Sequence, residues 1–339
     1  MSRELSSLRV RDIGEQGLLE RLQRFCPKDI VGDDAAVLPS LGLGQSLVVT
    51  TDVLVDGVHF SDRTTSPEDV GWRGAAANLS DLAAMGASPL GITVGLSITG
   101  DTLVTWVERV YQGLTDCLQQ YNTEIVGGDV VRSPVVSLAI TAFGQVSHSR
   151  IIRRNAAQVG DAIVVTGVHG ASRAGLELLL NPELGENLSE SERSRLIQAH
   201  QRPKPRLDAL PVLWEILDSP LPITLAGMDS SDGLADAIVQ ICGASGVGAE
   251  LERSQIPFPL VLNQFVSSEQ AMNWALYGGE DFELVLCLPP ESAKTLVGEL
   301  GEGAAVIGTI TTGKEVWLRD RAGTLADEPL TLNRGYQHF

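Results

Sequence analysis

Apolar residues along the chain switch between two spacings, and the switches outline its elements. "EQGLLERLQRF" (15–25) repeats with helical period, and "SLVVTTD" (46–52) is a short apolar strand that ends in polar residues. "SPEDVGWRGAAANLSDLAAMG" (66–86) predicts a helix with Ser66 as N-cap, Pro67 at the first position, Asp69 two residues on and Gly86 closing it. "LGITVGLSI" (90–98) predicts a strand. The next helix, 101–121, has Val104, Val107, Val110, Tyr111, Leu114 and Leu118 on one stripe. "EIVGG" and "VVSLAITAFGQV" follow as strands. Residues 147–160 are polar and basic before "AIVVTG" opens a new strand, so a domain boundary is expected there, with domains 1–147 and 148–339. The second half predicts helices near 170–181, 189–201, 205–217, 233–243 and 268–276, and strands near 223–227, 247–251, 282–288 and 304–310. Its segment 182–206 is polar, contains proline and suggests a helical excursion. The mixed order predicts two α/β or α+β domains.

Composition narrows the partners. The chain has 339 residues, 43% of them hydrophobic, enough for two cores. Its formal net charge of −18 argues against nucleic acid or an anionic membrane as a partner. Cys26, Cys117, Cys242 and Cys287 lie far apart, which excludes a C-x-x-C zinc or redox motif and predicts reduced thiols. No stretch approaches the ~18 uncharged apolar residues of a membrane span, and the expected location is the cytoplasm.

Carboxylates stand where solvation alone does not explain them. They are Asp33 and Asp34 in "GDDAA", Asp52 in "VVTTDVLVDGVHF", Asp81 in "NLSDLAAMGA", Asp129 in "IVGGDVVR", Asp229 and Asp232 in "MDSSDGL", and Glu280 with Asp281 in "GGEDFEL". Most follow an apolar run or a glycine pair, at strand ends or tight turns, where sites are built. Taken singly, Asp81 is a helix polar-face residue and "SSDG" and "GGED" are turns. Brought together they would repel, by ~4 kcal/mol per pair at ~4 Å and an effective dielectric of ~20, unless cations or protons intervene. The available ligands are carboxylate oxygens with hydroxyls at Thr50, Thr51 and Ser231, a hard set suited to Mg²⁺ or Mn²⁺. That pattern points to metal-dependent phosphoryl transfer. The usual phosphate motifs are missing. "GTITTGKE" (308–315) comes one residue short of a P-loop, with Glu315 in place of the metal-binding hydroxyl, and is expected to be a hairpin between short strands.

The series "GDDAA", "TTDVLVDGVHF", "NLSDLAAMGASP", "GGDVVR", "VGDAIVVTG", "MDSSDGL" and "YGGEDFEL", closed by "NRGYQHF", resembles the thiamine-monophosphate kinase family over about residues 30–339. That family groups with aminoimidazole ribonucleotide synthetase, selenophosphate synthetase and a hydrogenase-maturation protein. The resemblance implies a two-domain α/β (α+β) fold of the aminoimidazole ribonucleotide synthetase type. It implies an N-terminal ATP- and Mg²⁺-binding domain that dimerises with its twin through a β-barrel. It further implies direct transfer of the γ-phosphate of ATP to thiamine monophosphate, with several Mg²⁺ ions. By motif, Asp34, Thr50, Thr51, Asp52, Asp81, Asp129, Asp229 and Asp232 would hold the metals. Tyr111, Gly128, Asp129, Arg154 and Ser231 would touch ATP. His59, Glu280 and Tyr336 would line the thiamine pocket, where a carboxylate suits the cationic ring. No covalent nucleophile is expected. Two positions depart from the pattern, Val130 where threonine is frequent and Ser230 where an apolar residue is usual; neither removes a carboxylate.

Two other classes compete. A relative that activates an amide or carboxylate oxygen with ATP is one, although the hydrogenase-maturation type should end in cysteine and this sequence ends in "YQHF". A non-catalytic nucleotide-binding protein on the same fold is the other.

Overall fold

Residues 8–26, 41–217 and 225–335 are described by a computed structural model of the chain. They fall into two units: Met1–Leu82 with Ser88–Gln145, and Ala83–Ala87 with Val146–Phe339.

The first unit comprises α1 (Val10–Leu22), β1 (Gln45–Val55), α2 (Pro67–Ala84), β2 (Ser88–Ile98), α3 (Val104–Gln120), β3 (Ile125–Arg132) and β4 (Ser137–Ser147). The helix α1 starts earlier than its periodicity suggests and is kinked at Gly14, with φ +66°. As expected, Ser66 caps α2. Its Oγ accepts the Asp69 N–H at 3.3 Å and donates to Asp69 Oδ2 at 2.6 Å, so two polar groups at the helix start are satisfied reciprocally. The stripe foreseen on α3 is buried at every position. The two helices approach closely: a Cβ at Gly71 would run into the Val110 carbonyl, and one at Gly113 into that of Glu68. Only hydrogen at these positions lets the backbones touch.

The strands form one sheet in the order β1-β4-β2-β3, with β2 parallel to β3 and antiparallel to β4. Register stacks Ile92 on Ala142, Val94 on Ile140 and Leu96 on Leu138, all buried. Each of the Ile, Val and Leu side chains among them contributes about 1.5–3 kcal/mol of burial. The other face is open, and along β1 it carries Leu47, Val49 and Val53 at 52%, 53% and 48% exposure.

The second unit comprises β5 (Ile152–Arg153), β6 (Ala162–Val165), α4 (Ala171–Leu180), α5 (Glu190–Gln201), α6 (Ala209–Ile216), β7 (Leu225–Asp229), α7 (Leu234–Ser245) and β8 (Gly248–Glu252). It continues with α8 (Ser268–Tyr277), β9 (Leu284–Leu288), α9 (Pro290–Leu300), β10 (Ala305–Thr311), β11 (Val316–Arg319) and β12 (Glu328–Leu330). Its eight strands run in the order β12-β11-β8-β10-β6-β9-β7-β5. Strands β6, β7 and β9 are buried along their whole length because both faces are covered. Ile163, Val165, Val285 and Cys287 join α7 and α8 in one core; Val164, Leu284, Leu286 and Leu288 join α6 and α9 in the other. A third cluster binds α4 and α5 to α8 through Ala174, Leu178, Leu196, Ala271 and Trp274. The excursion is therefore anchored by a core of its own.

One expectation fails. The strands flanking "TTGKE" do not form a hairpin, because β8 lies between them, antiparallel to β10 and parallel to β11. The connection crosses the start of β8, where the Ala249 N–H donates to the Glu315 carbonyl at 3.1 Å. All four cysteines are free thiols; Cys117, Cys242 and Cys287 are buried, whereas Cys26 is partly exposed. Among the described residues no helix is long and apolar enough to cross a membrane.

Candidate active site

Strand β1 alternates its side chains between the two faces of the sheet. Thr50 turns inward and its hydroxyl donates to Asp81 Oδ2 on α2. Asp52 shares that face by parity. Thr51 points the opposite way, and its hydroxyl donates to the Ile140 carbonyl at 2.9 Å, beside that of Thr141 at 3.2 Å. The structure thus joins Thr50 to Asp81 and separates the Thr51 side chain from them. Beyond β1 the chain turns tightly at Gly57, φ +78°. There His59 Nδ1 accepts the Val55 N–H at 3.1 Å and Arg73 Nη2 donates to the His59 carbonyl at 3.4 Å. The loop that presents His59 is therefore held at both its backbone and its ring.

On β3, Asp129 is exposed, is in register with Gly95 of β2, and accepts the Val130 N–H at 2.9 Å. Gly128 has a structural reason of its own, since a Cβ there would meet the Val94 carbonyl. Tyr111 is enclosed in the first unit, its ring 5.8 Å from that of Phe25, and burial pushes its phenol up. Asp33, Asp34 and Tyr336 lie outside the described residues.

In the second unit β7 delivers Asp229, buried, to a tight turn. Ser231 Oγ donates to Asp229 Oδ1 at 3.0 Å, Asp232 is exposed, and Gly233, φ +111°, starts α7. Arg154 is exposed, with Nη1 donating to Gln240 Oε1 at 2.6 Å. The Glu280 N–H donates to the Ser231 carbonyl at 2.7 Å, which ties the "GGED" turn to the "SSDG" turn. Glu280 and Phe282 both have positive φ, +68° and +53°, so this turn is held in a conformation that side chains resist.

The acidic letters after Glu280 do different work. Asp281, partly exposed, caps α4, accepting the Gly170 N–H at 2.6 Å and the Ser172 N–H at 2.9 Å. Burial nevertheless raises its carboxyl to about 7. Glu283 accepts from Thr166 Oγ1 at 2.6 Å and Arg206 Nη1 at 2.5 Å, while burial pushes its carboxyl up. His169, fully buried, sits 3.0 Å from Ser230 Oγ through Nε2, and desolvation lowers it to about 4, which keeps it neutral. Ser172 Oγ lies 3.2 Å from His200 Nδ1, itself 3.7 Å from Glu280 Oε2. Sequence reasoning missed His169, Ser172, His200, Arg206 and Glu283. The only local signal was a polar residue inside an apolar run, as in "TGVHGAS".

Among the described residues no three His, Cys, Asp or Glu side chains group closely enough to hold a metal ion. The candidate donors are nonetheless all oxygens, and Thr50 with Asp81 is a hydroxyl–carboxylate pair of the kind a hard cation accepts.

Comparison with known proteins places these halves. The model for the AIR synthase related protein N-terminal domain matches residues 32–146, and that for the C-terminal domain matches 158–320. Fold and site thus define the class of AIR synthase related proteins. Within it, a thiamine-monophosphate kinase of Synechococcus elongatus is 52% identical over 336 residues, covering 99% of each chain. The crystal structure of thiamine-monophosphate kinase from Stenotrophomonas maltophilia K279a matches with a TM-score of 0.77 and 33% identity, over 88% of this chain and 94% of that one. The structure of AaThiL complexed with AMPPCP and TMP matches at 0.74 and 30% identity, over 98% and 99%. The chain belongs to the thiamine-monophosphate kinase family.

Proposed function

We propose that this chain transfers the γ-phosphate of ATP to the phosphate of thiamine monophosphate, yielding thiamine diphosphate and ADP. The observation that carries the reading is full-length likeness to thiamine-monophosphate kinases, including a structure at 30% identity that holds AMPPCP and TMP. A substrate phosphate oxygen forms the new bond to the γ-phosphorus as the bond to the β,γ-bridging oxygen breaks, in line. Phosphate is already a competent nucleophile, so no residue need be phosphorylated; positioning and charge neutralisation suffice.

Several Mg²⁺ ions fit the donor set and, when bound, would offset the charge of the triphosphate. Asp34, Asp52, Asp81, Asp129, Asp229 and Asp232 are the carboxylates proposed to hold them. Thr50 contributes a hydroxyl; Thr51, with its hydroxyl turned away, has its backbone carbonyl to offer. Arg154, Ser231, Gly128 and Tyr111 are proposed for the nucleotide, and His59, Glu280 and Tyr336 for thiamine monophosphate. The first domain, residues 1–147, supplies most of the proposed metal ligands, and the second, 148–339, adds Asp229, Asp232, Arg154 and Ser231. The first domain's open sheet face with Leu47, Val49 and Val53 supports a homodimer that closes this sheet on its twin's. The cytoplasm is the proposed location.

The test is direct. The purified protein, given ATP, Mg²⁺ and thiamine monophosphate, should form thiamine diphosphate and ADP one for one, and neither with EDTA. ADP without thiamine diphosphate would shift the reading to amide or carboxylate activation. Bound ATP without turnover would make the chain a non-catalytic relative.

A further inference from the structure

The polar network at the start of α4 contains buried groups that the proposed reaction does not use. Asp281 accepts N–H groups from Gly170 and Ser172, which fixes Ser172. Ser172, 1% exposed, holds its hydroxyl 3.2 Å from His200 Nδ1. That same nitrogen lies 3.7 Å from Glu280 Oε2. The order of dependence runs from the Asp281 carboxylate through a helix start, a hydroxyl and an imidazole to a carboxylate whose side chain is 34% exposed.

The imidazole cannot drift. His200 stands in the last turn of α5, its side chain 4% exposed. The helix α5 lies directly on α4: a Cβ at Gly175 would run into the Leu196 carbonyl and come within 3.0 Å of His200 Cβ. Leu196 packs with Ala174 and Leu178 of α4. Glu280 is constrained from its other end by its left-handed φ and its bond to the Ser231 carbonyl. The backbone of this partly exposed residue is thus held, and its carboxylate lies 3.7 Å from an imidazole that is itself fixed.

We propose that His200 is a positioning residue that fixes the Glu280 carboxylate for the cationic ring of the substrate. The inference rests on Glu280 being the substrate carboxylate, and it gives the 182–206 excursion a role: to carry a rigid His200 to that carboxylate. A long acidic side chain held before binding loses less freedom on binding, so the effect falls on substrate affinity.

Steady-state kinetics of the full-length protein tests this, with Tm recorded for each variant. Expected is a rise in KM for thiamine monophosphate on the order of tenfold in His200→Leu, with KM for ATP and kcat nearly retained. His200→Asn, whose amide can stand where Nδ1 stood, should recover most of it. Ser172→Ala should show a smaller rise of the same kind. Glu280→Gln should raise the same KM, and His200→Leu added to it should do little more. Equal loss for both substrates, failure of His200→Asn to recover, or additive losses in the double variant would each overturn the positioning role. Should His200→Leu not fold, an unchanged KM in Ser172→Ala, beside an intact Glu280 effect, would overturn it equally. An unchanged KM in Glu280→Gln would instead overturn the reading of Glu280, and this inference with it.

Discussion

The carboxylates of the two units differ in what answers them. In the first, Asp52 and Asp81 are partly exposed and Asp129 is exposed, and Asp81 accepts the hydroxyl of Thr50. In the second, Asp281 and Glu283 are also only partly exposed, but they are answered by backbone N–H groups, a hydroxyl and a guanidinium. Removing a charge from water costs several kcal/mol, so a largely desolvated carboxylate persists only with such partners. An acidic side chain at the surface keeps its lone pairs available for a cation. Within "GGEDFEL" the difference falls inside four residues: Glu280 remains accessible while Asp281 and Glu283 hold the fold together.

Substitutions in the two groups should therefore fail differently. Asp81→Asn and Asp129→Asn should lower kcat by about 10³-fold or more with Tm nearly unchanged. Full activity in both would sink the metal-binding reading of the first unit. In the second unit Arg206→Met should destabilise by about 2–4 kcal/mol in urea unfolding, because it leaves the largely desolvated Glu283 without its cation. A stable Arg206→Met protein would erase the contrast between the units.

Acid should destabilise the chain through the buried His169. His169 is held down to about 4 in the folded chain, whereas an unfolded histidine titrates near ~6.5. Between those values the unfolded state binds a proton that the folded state refuses, so stability is full above ~6.5 and falls as pH drops toward 4. From pH 7.5 to 5.5 the loss from this residue is about 1.4 kcal/mol, and His169→Asn should lack it. Parallel pH profiles for the two proteins would refute the assignment. The smallest effect separates two neighbours: Thr50→Val should cost about tenfold in kcat, whereas Thr51→Val should cost about twofold or less, since its hydroxyl serves the Ile140 carbonyl. Equal losses would show that strand parity does not decide which threonine matters.

Legibility followed physical range. The α2 cap at Ser66, the stripe on α3 and the runs of β6 and β9 depend on neighbours within one or two turns, and all were expected from the residues. The helix α9 went unforeseen, although "PESAKTLVGEL" places Ala293, Leu296, Val297 and Leu300 at helical spacing. The β10–β11 connection looked like a hairpin because sequence proximity suggests pairing, but β8 inserts between them from some 60 residues away. Val107 and Tyr111 were on one stripe in the sequence, and the structure buries both.

The sequence by itself determined the family, the α/β class and which acidic residues stand at turns, since these depend on residue identity, local period and motif order. It could not distribute roles among adjacent polar letters. Whether Thr50 or Thr51 faces Asp81, whether Asp281 is a ligand or a helix cap, and that His200 reaches Glu280 across some 80 residues were decided by tertiary structure alone. Strand parity, burial and the approach of distant helices set those outcomes, because a polar group's role depends on which partner lies within about 3 Å and how much water is left beside it.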